Sequence, residues 1–172
     1  MTFKRIFLAG TIQGSNQGLN IEDQSYRTAL ASILENHLPG VECFDPSGPV
    51  LELLGTAETL DAVQQMLGSI GRATRVDSAP VRVQELRGTF RSMTSEATKC
   101  DLLIAYLPNS MPSMGTAMEM YAAHLSGVPV VTITDMVQNL SIISISDWIF
   151  SDVQAFESWV AELASVEEHT AV

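Results

Sequence analysis

The sequence predicts an α/β fold, a doubly wound parallel sheet built as a single domain. Three observations carry this. Short apolar runs alternate with segments of helical spacing along most of the chain. Two of the runs, Leu102–Leu107 and Val128–Ile133, are essentially unbroken, as expected of parallel strands covered on both faces. The length of 172 residues suits one domain, since domains commonly hold about 100–200 residues.

The elements follow in order. Phe3–Ala9 is a β-rich run that ends at Gly10. From Asp23 to Leu38, the residues Tyr26, Leu30, Ile33, Leu34 and Leu38 share one helical face, and Pro39-Gly40 stops the helix. Val41–Phe44 is a short second strand closed by Asp45-Pro46. The segment 47–80 reads as an insertion of uncertain course, with helical spacing over Leu51–Ile70 and a loop over Gly71–Pro80. A helix over about Val81–Lys99 leads into the strand Leu102–Leu107. Next comes a helix over Met114–Leu125, whose Met114, Ala117, Met118, Tyr121, Ala122 and Leu125 form the expected buried stripe. Gly127 supplies its left-handed cap. After Ile133 the expectation is a last short strand at Ile142–Ile145 and a closing helix over Val153–Leu163.

Composition narrows the function. Nine Lys and Arg against twenty Asp and Glu leave a formal charge of −11. Binding a nucleic-acid polymer needs clustered cations that release counterions, so that class is excluded, as is a polybasic membrane contact. No apolar stretch reaches the roughly 18 residues that span a bilayer, and the start carries no signal-peptide pattern. Cys43 and Cys100 are too few for a disulfide framework and lack metal-ligand spacing, which points to reduced thiols in a cytoplasmic protein with no metal. Charged residues are only 17%, below the roughly 25% of typical soluble domains. An apolar surface patch and a homodimer or higher homo-oligomer are therefore expected.

Ligands of open parallel sheets bind outside the carboxyl ends of the strands. That rule selects the loop after the first strand, where Gly10, Thr11, Ile12, Gln13, Gly14 and Ser15 offer backbone and hydroxyl donors suited to a phosphate or a sugar. Its glycines recur at every fourth position, which is neither the dinucleotide fingerprint nor a phosphate-binding Walker loop. The rule also selects Ser113, Met114 and Gly115 at the start of a helix, with Glu119 in its first turns. Helical side chains lean toward the N-terminus, so Glu119 projects toward the strand ends, and the helix dipole is expected to favour its ionised form. A carboxylate in a cleft with small walls suits nucleophilic attack at a sugar carbon.

The residues KRIFLAGTIQGS, CDLLIAYLP and above all SMGTAMEMYAAHLSGVPVVTI resemble the nucleoside 2-deoxyribosyltransferase superfamily, which includes nucleoside 5′-monophosphate N-glycosidases. The likeness extends over most of Phe3–Thr134. It implies a flavodoxin-like, Rossmann-like fold, a nucleoside or nucleotide substrate, no organic cofactor, and Glu119 as the nucleophile that holds the sugar as an ester. Water would then give hydrolysis, and a second base would give transfer. Ser113 stands where deoxyribosyltransferases have an Asp, and resembles the nucleotide hydrolases, in which a Ser holds the 5′-phosphate. Gln13 replaces an Arg often found in that loop, and Arg82, Arg87 and Arg91 are candidates to supply the charge. Met93 stands where many relatives have an Asp that assists the leaving base, so Asp45 is the candidate replacement, with Glu85 behind it. Asn139 is implied near the sugar, sometimes of a neighbouring subunit, and Met111 is a candidate wall of a base pocket. Asp101, at the start of its strand, is expected to be structural. Two other functions stay open at this stage, a non-catalytic nucleotide-binding sensor and an NAD glycohydrolase.

Overall fold

The computed structural model of the chain describes residues 3–14, 16 and 18–170, with side chains through residue 165. Five parallel strands lie in the order β2-β1-β3-β4-β5. They are β1 (Arg5–Gly10), β2 (Glu42–Phe44), β3 (Leu102–Leu107), β4 (Val130–Thr134) and β5 (Trp148–Phe150). The chain runs outward from β1 to β2 and then crosses back to β3 on the other side of β1, so the order reverses beside β1. A crevice opens at such a switch point, at the carboxyl ends of the strands.

Strand alternation sorts the core into two layers. Phe7, Ala9, Leu103, Ala105 and Val130 face one side, where they meet Met120, Ala123 and Ile142. Ile6, Leu8, Leu102, Ile104 and Val131 face the other, against Leu30, Leu34, Phe156 and Val160. The second layer is covered by α1 (Ser25–His37) and α7 (Val153–Thr170). The first is covered mainly by α5 (Met114–Leu125), with α4 (Val81–Glu96) packed beside it. Each fully buried Leu, Ile or Phe contributes roughly 1.5–3 kcal/mol, so the sheet holds the site as a rigid frame.

Three expectations are corrected. Residues 47–80 contain two helices, α2 (Ser47–Leu54) and α3 (Ala57–Gly68), rather than one span. Thr56 breaks the run, since its side chain accepts from the Thr59 N–H and starts a new helix. The segment expected as a last strand at Ile142–Ile145 lies in a helix, α6 (Leu140–Ile145), and the strand follows at Trp148–Phe150. Asn139 Oδ1 accepts from the N–H groups of Ser141 and Ile142, and this cap decides for helix over strand.

The third correction turns α5 around. Its buried residues are Thr116, Met120 and Ala123, at i, i+4 and i+7, packed on β1 and β3. Met114, Met118, Tyr121 and Leu125, expected inside, are 76%, 55%, 54% and 68% exposed. They form an outward apolar stripe. Gly127 does take the left-handed cap, at φ 74°.

Candidate active site

A cleft of about 320 Å³ lies at the carboxyl edge of the sheet, between the loop after β1, the start of α5, and α2 with α4. Gly10, Ile12, Gln13, Gly14, Ser113, Met114, Gly115 and Glu119 all line it. The structure thus brings together most of the residues picked from sequence. Opposite them stand Pro46, Val50, Phe90, Met93 and Thr94, a largely apolar wall, of which sequence analysis singled out Met93 alone.

Each feature has a local cause. Ser113 caps α5: its Oγ accepts from the N–H and the hydroxyl of Thr116, and it is buried. The loop after β1 closes on itself. Gln13 Nε2 donates to the Gly18 carbonyl at 2.6 Å, and the Glu22 N–H donates to the Ile12 carbonyl at 2.7 Å. Gly14 sits at φ +63°, and a side chain there would meet Met111 Sδ at 2.5 Å. Met111 therefore packs against this loop and lines a second hollow, together with Thr11, Tyr26 and Tyr106, on the α1 side of the sheet. Thr11 is buried there with its hydroxyl unpartnered among the described residues. Ser15 lies outside the described residues.

Glu119 follows Thr116 by three residues and precedes Ala123 by four, so it sits on the margin of the buried face of α5. Its carboxyl makes no hydrogen bond or ion pair among the described residues. Desolvation pushes its pKa up to about 8, the Arg27 guanidinium opposes that rise, and Asp45 adds to it. Burial thus works against the ionised form that the helix N-terminus favours.

Sequence analysis missed Arg27, which organises this edge. It is 3% exposed. Its Nη1 donates to the Leu8 carbonyl at 2.5 Å, Nη2 to the Gly10 carbonyl at 3.1 Å, and Nε to Gln24 Oε1 at 2.9 Å. Nη1 also lies 3.2 Å from Asp45 Oδ1. The signal was present, because Arg27, Leu30 and Leu34 share the i, i+3, i+7 spacing of the buried face. Tyr26 stands beside it. Burial raises its hydroxyl pKa, and its ring packs on Tyr106 in a tilted pair, 4.8 Å between centroids. A Cβ at Gly10 would lie 2.2 Å from the Tyr26 hydroxyl.

Other candidates fall elsewhere. Asp45 Oδ1 accepts from the Ser47 N–H at 2.8 Å and faces Arg27, so it works as an acceptor beside the cleft and does not line it. Asn139 is spent on capping α6 and lines a separate hollow on the far flank of α5. Arg82 pairs with Glu58 and Glu85, while Arg87 donates to the Val76 carbonyl and to Gln84. Arg91 is exposed and outside the cleft. Among the described residues no group of His, Cys, Asp or Glu is arranged to hold a metal, and no helix is long and apolar enough to cross a membrane.

No family model and no curated protein matches the sequence. Among solved structures, the chain is similar to a 2-deoxyribosyltransferase from Bacillus psychrosaccharolyticus, with a TM-score of 0.53 and 18% identity over 89% of this chain and 90% of that one. A CMP N-glycosidase from Clostridium botulinum gives a TM-score of 0.47 and 17% identity over 91% of this chain and 98% of that one. The first of these establishes the fold, the α/β doubly wound architecture predicted above.

Proposed function

We propose that the chain is an enzyme that cleaves the N-glycosidic bond of a nucleoside or nucleoside 5′-monophosphate through a covalent ester on Glu119. The observation that carries this is the Glu119 carboxyl. It makes no hydrogen bond or ion pair among the described residues and is desolvated in a cleft lined by glycines, on the same fold as a 2-deoxyribosyltransferase. A surface carboxylate that merely complements the α5 dipole would be hydrated and acidic.

The ionised Glu119 attacks the anomeric carbon, the base departs, and the sugar stays as an ester. Water resolves the ester in a hydrolase, and a second base resolves it in a transferase. Arg27 favours the ionised nucleophile against desolvation and Asp45 disfavours it, and the loop Gly10–Gly14 with Ser113 and Gly115 supports the sugar side. Thr11 backs that loop from the other face. The two free cysteines fit a reducing, cytoplasmic setting. The outward stripe of Met114, Met118, Tyr121 and Leu125 supports self-association.

The test is release of free base from a panel of nucleosides and their 5′-monophosphates, with and without a second base, followed by chromatography. Glu119→Ala is expected to fold normally and to lose on the order of 10³-fold or more in rate. Acid quenching of the wild-type reaction should trap a sugar on the peptide that contains Glu119. Undiminished release by Glu119→Ala would sink the assignment.

A further inference from the structure

The cleft holds one titratable side chain among the described residues, and that is Glu119 itself. This has two chemical consequences. The first concerns phosphate. The cations nearest in sequence to the cleft are engaged elsewhere or lie outside it: Arg82 with Glu58 and Glu85, Arg87 with a backbone carbonyl and Gln84, Arg91 in solvent. Arg27 is close but sealed behind Gly10, with all three nitrogens engaged. Among the described residues, a phosphate here would have Glu119 as its one charged neighbour in the cleft, inside a chain of net charge −11.

The second concerns the leaving base. A neutral nucleoside sheds its base as an anion unless a proton arrives, and such help is worth roughly 10²–10⁴ in rate. The wall facing Glu119 offers none. Val50, Phe90 and Met93 carry no exchangeable proton, and the Thr94 hydroxyl donates to the Phe90 carbonyl at 3.0 Å. Asp45 is held as an acceptor by Arg27 and the Ser47 N–H. What this wall does offer is an aromatic ring, Phe90, and one polarisable thioether, Met93, which suit a flat cation.

We propose that the cleft takes an unphosphorylated N-glycoside whose base is already a cationic aromatic ring, of the pyridinium class. This rests on Glu119 being the nucleophile of an N-glycosidic cleavage. One Glu119 oxygen bonds to C1′ as the C1′–N bond breaks, and the bonding pair moves onto the ring nitrogen. The base leaves neutral, so no proton donor is required. Water then attacks C1′, the free sugar departs, Glu119 returns to a carboxylate and one proton goes to solvent. The cationic ring also supplies Glu119 with a counter-charge that no side chain lining the cleft provides. The charged groups facing Glu119 are otherwise Arg27 and Asp45, beside the neutral Tyr26.

The experiment compares base release by the wild-type protein from nicotinamide riboside, from nicotinamide mononucleotide, and from neutral ribo- and 2′-deoxyribonucleosides. Nicotinamide riboside is expected to react at least about 10²-fold faster than any neutral nucleoside, and the added phosphate is expected to raise KM. Met93→Asp, which places a proton donor on the apolar wall, should narrow the gap by speeding neutral nucleosides. Glu119-dependent release that is equal or faster from neutral nucleosides, or from the monophosphate, overturns the inference and leaves the proposed function standing. Silence on every substrate overturns both.

Discussion

Two carboxylates at opposite edges of the sheet show how one side chain chemistry is put to different uses. At the amino edge, Asp101 Oδ2 accepts from the N–H groups of Lys4 and Arg5 at 2.8 and 2.9 Å, and these bonds hold its pKa below the usual range. At the carboxyl edge, Glu119 has no such donor, and desolvation raises it to about 8. Asp101 is satisfied and ties the start of β1 to the start of β3. Glu119 is unsatisfied and left available. The difference lies in the backbone: at the amino edge, N–H groups ahead of β1 are free to meet the carboxylate. At the carboxyl edge it is carbonyls that emerge, and Arg27 takes up those of Leu8 and Gly10.

The sharpest way to break this contrast is to remove that arginine. Arg27→Met leaves the carbonyls of Leu8 and Gly10 without their side-chain donor, and each unsatisfied buried acceptor costs about 1–3 kcal/mol. Urea denaturation reads the cost, and a change under 1 kcal/mol would show that the guanidinium does not organise the edge. The next test addresses the unsatisfied carboxyl. Because the folded pKa of Glu119 lies above its unfolded value, the folded state binds the extra proton between the two. Stability therefore falls as pH rises from about 4.5 to about 8. Glu119→Gln should remove that slope, match the wild type near pH 4 and exceed it near pH 8.5. Parallel stability profiles would refute the desolvation argument. The same titration predicts that kcat/KM rises with pH toward a plateau above about 8.

The smallest effect belongs to the satisfied partner. Asp101→Asn is expected to cost about 1 kcal/mol at neutral pH, with base release unchanged. Its folded pKa is lowered, so its contribution is present above the unfolded value and fades as pH falls through the folded one. The deficit should therefore shrink in strong acid. A deficit that persists unchanged there would assign it to packing rather than to charge.

Sequence was legible where strands are buried on both faces and where a turn residue marks an end. β3 and α5 fall on the predicted bounds, since Leu102–Leu107 is unbroken and Ser113 and Gly127 bracket the helix. The carboxyl-edge rule then gathered Glu119, Gln13 and Ser113 into one cleft. Faces were less legible than bounds. α5 is apolar on most of its circumference, so periodicity could not distinguish Thr116, Met120 and Ala123 from the exposed methionine stripe. Ile142–Ile145 reads as strand because its β-branched residues favour one, and a single capping Asn overrides them. Arg27 is hard to read from sequence because a guanidinium is seldom buried, although its spacing places it among leucines. The apolar wall of α2 and α4 depends on how residues 47–80 fold back, which local patterns do not encode.

Gly10 and Tyr26 share one volume: the phenol occupies the space that any side chain at residue 10 would fill. The two positions therefore cannot drift independently. A substitution at residue 10 is admissible only after residue 26 has become smaller, whereas shrinking residue 26 first leaves a void that a later, larger residue 10 can fill. One order of change passes through a cavity and the other through a collision, and overpacking a rigid edge leaves no room to relax. Among divergent copies of this chain, a side chain at the end of β1 should accompany the loss of the tyrosine.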